Sequence, residues 1–313
     1  MRGLQLVICS QENDEPQTQW RLNELKPMSE DEYALWLTLL EERTGITLPE
    51  LRKSFLLSKL SIRMHELGIS EYKSYFAYVT HGKAGRVEWE TLVDRLTVHE
   101  TRFFRDTKAL SFIKEAYLEK LEIEDNNHNI HIWSVGCATG EEPYSLMMYI
   151  DKYMTEKNEK CYLAVTASDI SHDALAIGKK ALYHQNRFSN VPMEYIERYL
   201  EGTDKEHFQV NESLRKRICF NRLNLLNIHK SSVGKMEIII CQNVLIYFKR
   251  ETRLMILNQL VEHLVPGGLL ILGAGEITGW KNSDIHSVPY DGVLAFKRND
   301  SQLDGLQKPR YDG

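Results

Sequence analysis

Two different spacings of apolar residues divide the chain. Between residues 29 and 98 they recur at helical intervals: Trp36, Leu39, Leu40 and then Arg43 follow a Ser29/Glu32 pair that predicts a capping box. Gly45 and Pro49 break that helix. The segment LRKSFLLSKLSIRMHELG resumes it, and stretches at about 70–80 and 86–98 complete a small all-α unit. From residue 130 short apolar runs alternate with helical stretches, which predicts a doubly wound parallel sheet. Its strands are expected at Ile130–Val135, Cys161–Ala167, RICFNRLNLL, KMEIIICQNVLIYF, LLILG and GVLAFKR, with a helix from about Glu251 to Leu264. Within 186–220 the pattern is irregular, and a hairpin pairing Phe208–Val210 with Arg217–Phe220 is expected to stand off the sheet. Residues 1–28 are expected to be a loosely docked extension, 99–129 a linker between the two units, 130–298 the sheet domain and 299–313 a disordered tail.

The stretch IHIWSVGCATGEEPYSL concentrates the candidate chemistry. An apolar strand stops at the small residues Gly136–Gly140, and Pro143 suits the first turn of a helix, where no N–H bond is lost. Open α/β sheets use such a turn to bring backbone donors to a cofactor. Glu141 and Glu142 at the helix start would repel a phosphate and suit a cationic or zwitterionic cofactor such as S-adenosylmethionine, although they could simply complement the helix dipole. Asp169, at the tip of the second strand, is placed to bind ribose hydroxyls, or else to cap the next helix. The loop lacks G-x-G-x-x-G, which argues against a nicotinamide dehydrogenase.

The 313 residues are 42% apolar and 27% charged, an ordinary globular balance. A net charge of −5 disfavours a general nucleic-acid surface. The five cysteines have no C-x-x-C spacing and read as reduced core residues. Neither a membrane span nor a secretory signal is legible, so a cytoplasmic location is expected. Against that acidic background, Arg52, Lys53, Lys59 and Arg63 make one helix strongly basic, either as a solvated face or as a docking surface for an acidic partner.

The pieces LTVHETRFFRD, IWSVGCATGEEPYSL, ASDIS, LNLL, CQNVLIYF and LVPGGLLILG, in this order, make the chain resemble the chemotaxis-receptor glutamate methyltransferases of the CheR type over about residues 29–298. The resemblance implies an α/β fold: a class I S-adenosylmethionine-dependent methyltransferase (Rossmann-like) sheet, a small N-terminal all-α domain and an inserted antiparallel β-subdomain. It implies cofactor contacts from His99, Thr101, Arg105, Glu142, Asp169, Asn224, Leu225, Asn243 and Val244, with Arg105 and Tyr247 beside the transferred methyl group and no metal. The product would be S-adenosylhomocysteine. His99 stands where the family usually has Asn, and Gly273-Ala274-Gly275-Glu276 replaces its usual G-H-S-E. The implied partners are cytoplasmic helices of methyl-accepting receptors, met by Arg52, Lys53, Lys59 and Arg63. The short insertion between Tyr199 and Val210 suggests that no C-terminal pentapeptide tether is gripped, and the enzyme is expected to be a monomer. Two rival readings are a non-catalytic S-adenosylmethionine-sensing module and a methyltransferase of another substrate class. Asn243-Val244-Leu245-Ile246-Tyr247 lacks the prolines of the amino-methylating strand end.

Overall fold

A computed structural model describes residues 26–97, 100–121, 128–159 and 161–300. The helical unit comprises α1 (Glu30–Thr44), α2 (Lys53–Glu66), α3 (Tyr72–Thr80) and α4 (Gly82–Leu96). The capping box at the start of α1 forms as expected. The Glu32 N–H donates to Ser29 Oγ at 3.2 Å, and the Ser29 N–H donates to the Glu32 carboxylate at 2.9 Å. Trp36, Leu40, Leu56, Leu60, Met64, Tyr75 and Leu92 fill the core of this unit. Its centre also holds a carboxylate, Glu88, which is buried and accepts from the Tyr75 hydroxyl and from two nitrogens of Arg63. Arg63, one of the residues expected at a docking surface, is thus engaged inside the domain. Its guanidinium neutralises Glu88 inside the domain, because a buried carboxylate must be paired.

Helix α5 (Thr107–Ala116) leads into the sheet domain: β1 (His128–Val135), α6 (Glu141–Glu156), β2 (Cys161–Asp169) and α7 (His172–Lys180). Next come β3 (Leu182–His184), α8 (Met193–Tyr199), β4 (Leu200–Gly202), β5 (His207–Val210) and the single turn α9 (Glu212–Arg215). The chain closes through β6 (Ile218–Arg222), β7 (Met236–Cys241), α10 (Arg250–Glu262), β8 (Leu264–Leu272), β9 (Ile285–Tyr290) and β10 (Val293–Arg298). The main sheet runs β6-β2-β1-β7-β8-β10-β9, parallel from β6 to β8 and antiparallel beyond. Ile238 and Ile240 of β7 enter one core and Ile239 and Cys241 the other, so both faces of the central strands are covered, as parallel strands require.

Two sequence expectations are corrected. His207–Val210 does not pair with 217–220; it lies between β3 and β4 in a separate three-stranded antiparallel sheet, while Ile218–Arg222 pairs with β2 as the edge of the main sheet. The inserted subdomain is therefore built from the strands between 182 and 210. Strand β9 was not expected at all. It contains Pro289 and sits at an open edge, the position where a strand tolerates a missing N–H. No helix among the described residues is long and apolar enough to cross a membrane. The expectations for residues 1–25 and 301–313 lie outside the described residues.

Candidate active site at the carboxyl edge of the sheet

From β1 the chain first builds outward through β2 to β6, then returns to the other side with β7, so the carboxyl ends of β1 and β7 flank a topological switch point. The loop after β1 occupies it. Gly136 has φ +70°, and a Cβ there would lie 2.3 Å from Val244 Cγ2, so only glycine permits this approach. The N–H groups of Gly136 and Cys137 donate to the Ser168 carbonyl at 2.7 and 3.0 Å. Asp169 accepts from the Ala138 N–H and the Ser171 N–H, both at 2.9 Å. The alternative role of Asp169 as a helix cap goes to Ser171, whose hydroxyl accepts from the Ala174 N–H.

The two glutamates at the start of α6 part company. Glu142 lines the cavity above the loop and accepts a 2.6 Å hydrogen bond from Ser134. Burial pushes its carboxyl up to about 7, against the opposing pull of that hydroxyl and of Arg105. Glu141 is fully buried beneath the loop and accepts from Thr139 Oγ1. Burial also raises the thiols of Cys137 and Cys241, which keeps them protonated.

Two further segments close the site. In the linker, Phe104 takes φ +52° and its N–H donates to Ser145 at 2.9 Å, while Arg105 donates to the Glu100 carbonyl at 2.9 Å. Asp106 caps α5 through the Ala109 N–H and also accepts from Gln242, tying the linker to the end of β7. Beyond β7, Asn243 takes φ +61°, and the buried carboxylate of Glu276 accepts from the N–H groups of Val244, Leu245 and Gly273 at 2.8, 2.9 and 2.7 Å. The Gly-Ala-Gly-Glu variant thus keeps the glutamate whose carboxylate holds this loop.

Two adjoining cavities result, of about 290 Å³ and about 100 Å³. Thr101, Arg105, Glu142, Asn243 and Tyr247 line the larger. Asp169, Asn224, Leu225, Asn243, Val244 and Tyr247 line the smaller. The structure thus gathers all the described residues expected at the cofactor; His99 lies outside the described residues. It also adds a wall that the sequence did not signal. Thr44, Ile46 and Leu48 of the helical unit face the smaller cavity. They are held there by the Thr47 N–H, which donates to the Tyr247 carbonyl at 2.8 Å, and by Asn224, whose side-chain amide donates to the Arg43 carbonyl at 2.7 Å. Arg52 lines both cavities, its guanidinium 6.0 Å from the centre of the Tyr247 ring. Lys53 pairs with Glu30 at 2.6 Å, and Lys59 lies 5.5 Å over the Phe55 ring.

Residues 99–290 match the family model described as "CheR methyltransferase, SAM binding domain", and residues 31–97 match "CheR methyltransferase, all-alpha domain". The chain belongs to the CheR methyltransferase family. Among its relatives, a protein named chemotaxis protein methyltransferase from Borreliella burgdorferi is 30% identical over 276 residues, covering 87% of this chain and 95% of that protein. Chemotaxis protein methyltransferase 1 of Pseudomonas aeruginosa is 32% identical over 250 residues, covering 78% and 89%.

The donor set of this CheR-family site fits the S-adenosylmethionine that the matched domain binds. A carboxyl held near neutrality at Glu142 gains from an ammonium group, Asp169 offers acceptors to hydroxyls, and Leu225, Val244, Ile46 and Leu48 supply the apolar slot that a flat heterocycle requires. Among the described residues no group of three or more His, Cys, Asp or Glu side chains could hold a metal ion.

Proposed function

We propose that the chain methylates glutamate side chains on the cytoplasmic helices of methyl-accepting receptors, yielding glutamate methyl esters. One observation carries the reading: two guanidinium groups, Arg52 and Arg105, and the Tyr247 side chain line the same cavity as Glu142. An anionic acceptor is drawn to that lining and a cationic donor to the carboxyl. The relatives' names supply the receptor context.

Bound S-adenosylmethionine supplies an activated methyl group on a sulfonium. The acceptor needs no general base, because a glutamate side chain of reference pKa about 4.3 is ionised at neutral pH. The residues' task is orientation, which can lower a barrier by several kcal/mol when the attack geometry is fixed beforehand. Arg105, tethered to the Glu100 carbonyl, guides the incoming carboxylate without clamping it as a tight bidentate partner, which would stabilise the ground state. The Tyr247 hydroxyl donates to the same carboxylate, and Arg52 adds a second positive charge. Lys59, and Lys53 beside its ion pair with Glu30, offer the basic surface for an acidic helix. Strands β4 and β5 are joined by residues 203–206 alone, which supports a receptor interaction without a tail tether.

The test is incubation of the protein with radiolabelled S-adenosylmethionine and a panel of receptors. Base-labile label on glutamate, lost in Arg105→Ala, is the expected result. Base-stable label, or label on another residue type, would overturn the proposal.

A further inference from the structure

The carboxylate of Glu141 has no exposure to solvent, yet it sits at the first residue of α6, directly before the cavity-lining Glu142. A charge so placed needs partners. Thr139 Oγ1 donates to one oxygen at 2.6 Å, and the other lies 3.3 Å from the Arg187 guanidinium. The same guanidinium nitrogen donates to the Thr101 carbonyl at 3.0 Å. Arg187 comes from the 3-10 turn Gln185–Phe188, immediately after β3 in the inserted subdomain, and reaches both segments that flank the cofactor cavity. Its neighbours make the same connection. Phe103 packs against Tyr183 and Phe188 with ring centres 5.0 and 4.5 Å apart, and the Tyr183 hydroxyl donates to the Thr139 carbonyl at 2.7 Å.

We propose that Arg187 is a positioning residue for the S-adenosylmethionine site: from the inserted subdomain it balances the buried Glu141 and fixes Thr101, so that the subdomain braces the cofactor cavity. The inference deepens the functional reading above and rests on its cofactor site. Without Arg187, Glu141 keeps one hydroxyl and the positive end of α6. The loop must then move to hydrate the carboxylate, carrying Glu142 with it. Because the arginine itself is 44% exposed, the effect is that of a partly screened pair.

The experiment uses the full chain and compares Arg187→Ala, Arg187→Lys, Glu141→Gln and the double variant Glu141→Gln/Arg187→Ala. Calorimetry with S-adenosylmethionine is followed by steady-state methylation of a receptor. Arg187→Ala is expected to weaken S-adenosylmethionine binding and raise its KM by about tenfold, with kcat changed by less than about threefold. Arg187→Lys should recover most of the loss. The double variant should bind better than Arg187→Ala, because the uncompensated charge is gone. Unchanged affinity in Arg187→Ala, or a double variant weaker than that single one, would overturn the inference while leaving the functional reading intact. Failure of the parent chain to bind S-adenosylmethionine would remove both.

Discussion

Glu142 gives the site a proton balance that can be measured. Its carboxyl stands at about 7, raised from 4.5 chiefly by burial. A cation beside it favours the ionised form, so binding below pH 7 must expel a proton. The donor's own ammonium stays charged over this range, the reference α-amino value being about 7.7–8.0. About half of the Glu142 carboxyls are ionised at pH 7 and about 3% at pH 5.5, so S-adenosylmethionine affinity should fall about 16-fold between them, near 1.6 kcal/mol. Titration calorimetry at pH 6 in two buffers of different ionisation enthalpy should report about 0.9 proton released per molecule bound. Glu142→Gln should bind more weakly at pH 7 and lose the pH dependence. The sign for folding is the reverse: a carboxyl raised by folding contributes fully below about pH 4.5 and loses that contribution as pH rises through about 7. Glu142→Gln should therefore melt higher than the parent at pH 8 and not at pH 4.5. A parent chain whose affinity changes by less than about threefold from pH 7 to pH 5.5, with no proton released, would refute the reasoning.

Three further outcomes are expected. Gly136→Ala, which must adopt φ +70° and displace Val244, should cost about 1 kcal/mol in backbone strain plus the clash, read as a lower melting temperature and weakened S-adenosylmethionine binding. Glu276→Ala strands the N–H groups of Val244, Leu245 and Gly273; at about 1–3 kcal/mol for each donor, a loss of several kcal/mol should appear in urea unfolding, with Glu276→Gln intermediate. Arg63→Ala leaves Glu88, its side chain only 4% exposed, without a cation, and should destabilise the helical domain by about 3 kcal/mol; a normal melt with only a raised KM for receptor would restore its docking role.

Much of the fold was legible because its signals are local. The Ser29/Glu32 box, the strand–turn–helix at 130–146 and the strongly apolar run Ile238–Cys241 of β7 each depend on residues within one or two turns of one another, where propensity and periodicity act directly. The residues that the resemblance puts at the cofactor come from motifs in the linker and at strand ends, and the structure collects those at strand ends because the carboxyl ends of parallel strands converge at the switch point. The misplaced hairpin shows where this ends. Residues 207–210 and 218–220 are near in sequence and equally strand-like, but nothing in their pattern states which neighbours they choose.

What the sequence determined by itself, then, was the order and type of most elements, with the edge strand β9 missed, and the kinds of side chain offered at their ends. Tertiary packing alone decided the assignments among like residues: Glu142 to the cavity and its neighbour Glu141 to Arg187, Arg52 to the site and Arg63 to a buried carboxylate. The reason is geometric. A cavity wall is completed by partners far apart along the chain, as when Thr47 bonds to Tyr247 across 200 positions, and no local pattern encodes a contact that only the closed fold brings within reach.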